Sequence, residues 1–489
     1  MMDYTGIIVL VLSFIVLLTI GVPIAYSIGI SGILTMLISI DFLPANTTFA
    51  QRMATGLDSF ALLAIPFFIL AGNIMNSGGI ANRLINFAKV LVGGLTGGLA
   101  FVNVIANMLF GAISGSAAAA ASAIGSIMGP EMKKENYDEN FSAAVNISSA
   151  TTGLSIPPSN VLIVYSLASG GASITALFLA GYIPGILTGI SIMLTAMSML
   201  IFKIKGFRGV FMTILKIGFV FGIVVLSFLG FNYFLNLVNT TGKIWVWGFL
   251  LVSFLTFIIW RTKKNAARAF DGFKKFLDAL PSLLMLVLVI GGIVAGLFTA
   301  TEASAVAVLY ALILALIYRE ISIKDLPAII LKSVKTTSIV MLLVATCMGL
   351  SWIMAYENIP QNVSAALLNI SDNPFIILLI INLILLFVGI FMDMTPAVLI
   401  FTPIFLPIVQ SQLGLSPIHF GIIMVLNLSV GLCTPPVGSV LFIGCSISKV
   451  KIETVIKPLL PMFIAMIIVL ILVTYIPELS LWIPEFFGY

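Results

Sequence analysis

The sequence predicts an all-α polytopic membrane protein built from two inverted-topology repeats, and three observations predict it. Of 489 residues, 61% are hydrophobic and 8% charged. Ordinary soluble domains carry about a quarter charged residues, so this chain has too few charges to cover a water-facing surface. Apolar stretches of bilayer-crossing length, about 20 residues, recur along it, among them 174–202, 210–238 and 458–478. A rare motif occurs twice, as GLSIPPSN at 153–160 and GLCTPPVG at 431–438, each inside an apolar run. Two prolines there remove backbone donors and clash with the preceding turn, so each motif predicts a broken membrane helix.

The elements follow in order. The opening MMDYTGIIVL lacks the basic leader of a cleavable signal, so the first apolar helix is expected to remain. Residues 1–202 form the first repeat, with scaffold helices, a hairpin over 98–130, a broken helix over 140–168 and a closing span. The hairpin tip is Ser114-Gly115-Ser116, and its arms, about 13 to 16 residues each, are short for a bilayer, so the hairpin reads as re-entrant. Residues 203–280 are an insertion without a counterpart: helices at 210–238 and 244–260, then RTKKNAARAFDGFKKF as a basic amphipathic segment on the inner surface. Residues 281–489 form the second repeat, with a hairpin over 375–410 and a broken helix over 417–447. Gly111 aligns with Gly389, Pro130 with Pro407 and Pro184 with Pro461.

Lysine and arginine orient the halves, because cytoplasmic loops are enriched in them. Lys133 and Lys134 follow the first hairpin, whereas VQSQLGLSP after the second has no basic residue. ASGGAS after the first broken helix has none, whereas Lys449, Lys451 and Lys457 follow the second. The basic loops swap sides, which is the signature of an inverted repeat in secondary transporters. On this topology all 23 Lys and Arg residues lie inside except Arg52 and Lys243, which lie outside, and Lys216, within a span. The net charge of +5 therefore belongs to inner loops, and no nucleic-acid partner is expected.

Several functions are excluded. There is no Walker A pattern, dinucleotide fingerprint or metal-binding histidine pair, and no hydrophilic stretch large enough for a nucleotide-binding domain. Energy for transport must come from ion gradients. The single His419 reads as structural, and Cys347, Cys433 and Cys445, without metal-type spacing, read as buried thiols. No catalytic constellation can be assembled, so the chain is not an enzyme.

Backbone at a mid-membrane tip or break must face protein, water or an ion. At the first break, unwound carbonyls from Gly153 to Pro157 join the hydroxyls of Ser114, Ser116, Thr152 and Ser155 as hard oxygen donors suited to a small alkali cation. The half-helix beginning at Ser159 and Asn160 can receive an anion at its N-terminus. The second site repeats this with a tip of Met392-Asp393-Met394-Thr395-Pro396 and donors around Gly431, Thr434, Pro435, Gly438 and Ser439. Asp393 is the most informative residue, since an ionisable side chain inside a membrane is costly and usually functional. Its partner is a cation, or it caps the helix starting at Thr395-Pro396, and the two roles are compatible. Glu302 reads as a structural polar contact, and Asn73, Asn103, Asn107 and Asn146 as inter-helix hydrogen-bonding groups.

FGAISGSAAAAASAIGSIMGPEM, GLSIPPSNVLIVYS, AGYIPG, LFTATEASAVAVLYAL and GLCTPPVG, in this order, resemble the large membrane subunit of tripartite ATP-independent periplasmic (TRAP) transporters over nearly the whole chain outside 203–280. The resemblance implies sodium-coupled import of a carboxylate, such as a dicarboxylate or sialic acid, across the bacterial inner membrane by an elevator movement. It also implies two protein partners, a small four-helix membrane subunit, expected as a separate chain, and a periplasmic substrate-binding protein. Sodium is expected between tips and breaks. With the residue reading above, the sodium set is Ser114, Gly115, Ser116, Thr152, Gly153, Ser155 and Pro157, then Asp393, Thr395, Gly431, Thr434 and Pro435. The carboxylate set is Ser116, Ser155, Ser159, Asn160, Gly438 and Ser439. The rival readings are a self-sufficient sodium/dicarboxylate symporter and a channel or membrane scaffold.

Overall fold

The structure, a computed structural model, describes residues 5–77, 79–95, 97–202, 206 and 266–489. The inserted helices expected at 210–238 and 244–260 lie outside the described residues.

Every regular element among the described residues is helical. In chain order these are α1 (Thr5–Thr19), α2 (Ile24–Ser39), α3 (Phe42–Leu57), α4 (Ala64–Ser77), α5 (Ile80–Val92), α6 (Gly98–Ser114), α7 (Ala117–Lys134), α8 (Glu139–Ala150) and α9 (Asn160–Ala168). After α10 (Ile174–Phe202) come α11 (Ala266–Val294), α12 (Ala300–Ile317), α13 (Leu326–Tyr356), α14 (Ile359–Ile370), α15 (Pro374–Phe391) and α16 (Met394–Ser411). The chain closes with α17 (Pro417–Gly431), α18 (Ser439–Ser448), α19 (Ile452–Tyr475) and α20 (Glu478–Phe486). Eight helices among the described residues are long and apolar enough to cross a membrane.

One group of helices gathers around α13. This 31-residue helix is about 46 Å long at 1.5 Å per residue and packs along α2, α3 and α4, while α12 packs on α4. Close approach depends on missing side chains. The ring of Phe49 from α3 lies so near Gly32 and Gly349 that a Cβ there would come within 2.9 and 2.6 Å of it. At the head of α12, Thr299 and Glu302 form a reciprocal capping box, satisfying two helix-end amides. Glu302 is therefore a capping group, in line with its structural reading.

The second group holds α6 with α7, α15 with α16, and the two broken helices, α8 with α9 and α17 with α18. It interleaves the halves. α18 packs on α7 and α8, α19 on α8, and α16 on α9. The Tyr165 hydroxyl donates to the Pro417 carbonyl at 2.6 Å, and the Thr454 hydroxyl to Asn140 Oδ1 at 2.7 Å.

Two expectations need correction. The arms meeting at the tips are 17 and 18 residues in the first half and 18 and 18 in the second, longer than the sequence reading. Each tip uses only two non-helical residues, because Ser116 and Asp393 occupy N-cap positions and the helix restarts at once. The boundary at 280/281 falls inside α11, which continues through Pro281. The Pro281 carbonyl there accepts the Tyr310 hydroxyl at 2.7 Å.

Candidate transport site

Both breaks are built around a backbone crossing. Gly111 of α6 lies against Gly153, where a Cβ on Gly111 would come within 2.8 Å of the Gly153 Cα. In the second half, a Cβ on Gly431 would come within 2.6 Å of the Gly389 Cα. Only glycine permits such an approach, and these are the glycines the repeat aligned. Hydrogen bonds pair Asn107 with Asn146 and Asn427 with Asn382. Each asparagine pair lies before its glycine pair in sequence, so α6 runs with α8 and α15 with α17. Tip and break therefore both lie beyond their crossing.

The first site is enclosed. Gly115, at φ +62°, ends α6, and the Ser116 hydroxyl accepts from the Ala119 amide at 3.3 Å to start α7. The tip faces the start of α9, since a Cβ on Gly115 would lie 2.7 Å from Asn160 Nδ2. Ser114, 9% exposed, is backed by Gly72 of α4, where a Cβ would come within 3.1 Å of the Ser114 backbone. Gly153, Pro157, Ser155 and Ser159 are buried. The Thr152 hydroxyl donates to the Ser149 carbonyl at 2.6 Å, leaving only its lone pairs for a ligand. Gly181 of α10 packs against the Ser155 carbonyl, where no side chain would fit. Ser155 Oγ, Ser159 Oγ and Asn160 Oδ1 are all buried without a hydrogen-bond partner. An unsatisfied buried polar group costs about 1–3 kcal/mol, which an ion or anion placed there would recover.

The second site is open. Asp393 is the N-cap of α16, which starts at Met394, two residues before Pro396, yet its side chain makes no capping hydrogen bond. It is exposed, Thr395 is half-buried, and Pro436, Val437 and Ser439 are exposed, while Gly431 and Gly438 are buried. The break closes on itself, with the Gly438 amide donating to the Thr434 carbonyl at 3.0 Å and the Val440 amide to the Leu432 carbonyl at 3.2 Å. The Thr434 hydroxyl donates to Val430 at 2.9 Å, and Pro435 is half-buried. The Pro157-Pro158 and Pro435-Pro436 peptides are both cis.

The two breaks touch. Cys433 Sγ lies 3.4 Å from the Ile147 carbonyl and 4.0 Å from Thr151 Oγ1, so both sites share one core. Of the anticipated set, the structure brings the Ser114–Ser116 tip against Asn160 through Gly115, and Gly153 against Gly111 of the arm that leads to the tip, while Gly431, Thr434, Pro435, Gly438 and Ser439 share the second break. Asp393 and Thr395 follow the second crossing on the α16 side. No group of three His, Cys, Asp or Glu residues converges among the described residues, so the donors on offer are neutral oxygens and one carboxylate.

Residues 11–479 match the family model of the DctM component of tripartite ATP-independent periplasmic transporters. The chain belongs to this family. It is 50% identical to an uncharacterized Salmonella typhimurium protein, YgiK, over 99% of this chain and 98% of that one. It is 36% identical to the sialic acid TRAP transporter large permease SiaM of Vibrio cholerae, covering 97% of each. Its fold resembles the Alcanivorax borkumensis YdaH transporter, with a TM-score of 0.57 at 12% identity over 92% of this chain and 90% of that one. The protein is thus a multi-pass TRAP permease, a transport protein and not an enzyme.

The permease's other polar residues hold helices together. His419 Nδ1 lies 2.7 Å from the Ser480 hydroxyl, Asn73 donates to Ser333 at 2.9 Å, and all three cysteines are free and buried. Sequence reasoning missed Gly72 and the glycine face of α10. Gly181, Gly185 and Gly189 recur every four residues and abut Ser155, Ile156 and Met108. That small-residue spacing was the available signal.

Proposed function

We propose that this permease imports a small carboxylate, a dicarboxylate, sialic acid or related organic acid, across the bacterial inner membrane in symport with sodium. The observation that carries the proposal is the trio of buried, unpartnered oxygens, Ser155 Oγ, Ser159 Oγ and Asn160 Oδ1, beside a hairpin tip. One sodium ion uses Ser114, Ser116, Thr152 and Ser155 with the Gly153–Pro157 backbone. A second uses Asp393 with Thr395, Gly431, Thr434 and Pro435, cancelling a charge that is costly to carry through hydrocarbon. The carboxylate takes the N-terminal ends of α9 and α18, with Ser116, Ser155, Ser159, Asn160, Gly438 and Ser439 around it.

In this reading α6/α7 and α15/α16 are re-entrant hairpins from opposite faces. With the broken helices they form a unit that moves, elevator fashion, against the helices around α13. The interleaving of α7, α8, α9, α16, α18 and α19 supports a single moving body. Relatives are named for sialic acid, C4-dicarboxylate, 2,3-diketo-L-gulonate and the sulfonate isethionate, which supports a small organic acid anion, carboxylates being the commonest among them. A periplasmic binding protein delivers substrate, and a separate small membrane subunit completes the complex. The chain spans 65% of the length of the isethionate permease DctMQ of Oleidesulfovibrio alaskensis.

Proteoliposomes holding the chain, its small subunit and its binding protein test the proposal. Labelled succinate or sialic acid is expected to accumulate only with an inward sodium gradient. Accumulation indifferent to sodium would refute the coupling. Uptake by the chain alone would instead favour the stand-alone symporter, and ohmic current a channel.

A further inference from the structure

The two crossings carry a second, crossed symmetry. In the first half Asn107 Nδ2 donates to Asn146 Oδ1 at 3.1 Å and also reaches Asn103 Oδ1 at 2.7 Å and Ser149 Oγ at 2.8 Å, and in the second Asn427 Nδ2 donates to Asn382 Oδ1 at 2.7 Å and to the Asn382 carbonyl at 2.9 Å. In both, the donor lies four residues before a crossing glycine, Asn107 before Gly111 and Asn427 before Gly431. The acceptor lies seven residues before the partner glycine, Asn146 before Gly153 and Asn382 before Gly389. Yet the elements are exchanged. The donor sits on the hairpin arm α6 in the first half and on the broken helix α17 in the second, so the same contact is built from opposite sides. All four side chains are buried, Asn107 and Asn427 completely, and both donors keep an unpaired Oδ1.

Each pair also recruits a third helix. Asn146 Nδ2 donates to the Ala121 carbonyl of α7 at 2.9 Å, and Asn382 Nδ2 to the Thr474 hydroxyl of α19 at 3.2 Å. A glycine-to-glycine crossing is smooth and does not by itself fix how far one helix slides along the other. An amide pair about one turn away does fix it, because hydrogen bonds lose most of their strength outside a narrow range of distance and angle. A slip of one residue, about 1.5 Å, exceeds the roughly 0.5 Å tolerance of a working ligand constellation.

We infer that Asn107–Asn146 and Asn427–Asn382 are positioning clamps that set hairpin tip against helix break in each half, and so set sodium affinity. The inference rests on the sodium reading above. The probe is sodium chloride exchanged for choline chloride at constant ionic strength, on the purified full-length chain, followed by thermal unfolding. Asn107→Leu and Asn427→Leu are expected to raise the half-saturating sodium concentration about five- to tenfold. Adding Asn146→Leu to Asn107→Leu should raise it by less than Asn146→Leu does alone, since the two share one bond while Asn146 keeps its own to Ala121. Tyr310→Phe, which removes an α12–α11 hydrogen bond remote from the site, should leave it unchanged. Asn107→Ser and Asn427→Ser, too short to span the gap, serve where the leucine variants do not accumulate. Melting temperatures lowered equally in sodium and choline, with half-saturation unmoved, would overturn the clamps and leave the sodium reading standing. A wild-type chain without any sodium response would overturn both.

Discussion

The two half-sites share a backbone plan and differ in what they can hide. The first is enclosed by α4, α9 and α10 and buries Ser155 and Ser159 with their hydroxyls unpaired. The second leaves Asp393 and Ser439 exposed and ties its loop with its own amides. The chemistry explains the difference. A neutral hydroxyl left unpaired costs about 1–3 kcal/mol, which a folded domain tolerates. A carboxylate buried without a partner costs far more. The charged donor keeps an opening to an arriving cation although protein surrounds most of it, and the neutral donors can wait in a closed half-site.

The comparison breaks most severely at the crossings. Gly153→Val and Gly431→Val each drive a side chain into backbone, and each is expected to cut sodium-driven uptake at least about tenfold while destabilising by about 1–3 kcal/mol or more. If one variant transports normally in proteoliposomes, the two crossings are not equivalent. Next, Asp393→Asn should weaken the sodium response about tenfold and leave the chain folded in choline, since it keeps the shape of the side chain and removes only its charge.

A change of sign sharpens the contrast. Ser155→Ala with Ser159→Ala should remove the first ion's share of the sodium-induced stabilisation and leave the share of the Asp393 site, but raise ion-free stability by about 1 kcal/mol, since unpaired buried hydroxyls are removed. Lower stability in choline would mean that those hydroxyls already have partners. The smallest effect is expected at Glu302→Ala, which breaks the capping box of α12. It should lower the melting temperature slightly and leave half-saturating sodium where it was, marking that helix as separate from both sites.

Membrane class, all-helical architecture and family were legible in the chain, because hydropathy and the Pro-Pro motif are local properties. The arms of the tips were misjudged because N-caps at Ser116 and Asp393 restart a helix within two residues, and hydropathy does not register caps. The 280/281 division set a basic segment and the apolar run after it in separate units, whereas one helix, α11, carries both. Asn107 and Asn146 were read as helix-pairing groups, but nothing in their spacing says which donates to which.

The sequence alone determined that the chain breaks its helices twice, where it does so, and which oxygen-bearing residues stand near each break. Prolines, glycines and hydroxyls impose those outcomes wherever the rest of the chain lies. Only the tertiary structure decided that Gly111 meets Gly153 and Gly389 meets Gly431, that Gly181 packs against the Ser155 carbonyl, and that Ser159 is sealed while Ser439 stays exposed. Those depend on which distant segments pack together, and burial, unlike hydropathy, is a property of neighbours.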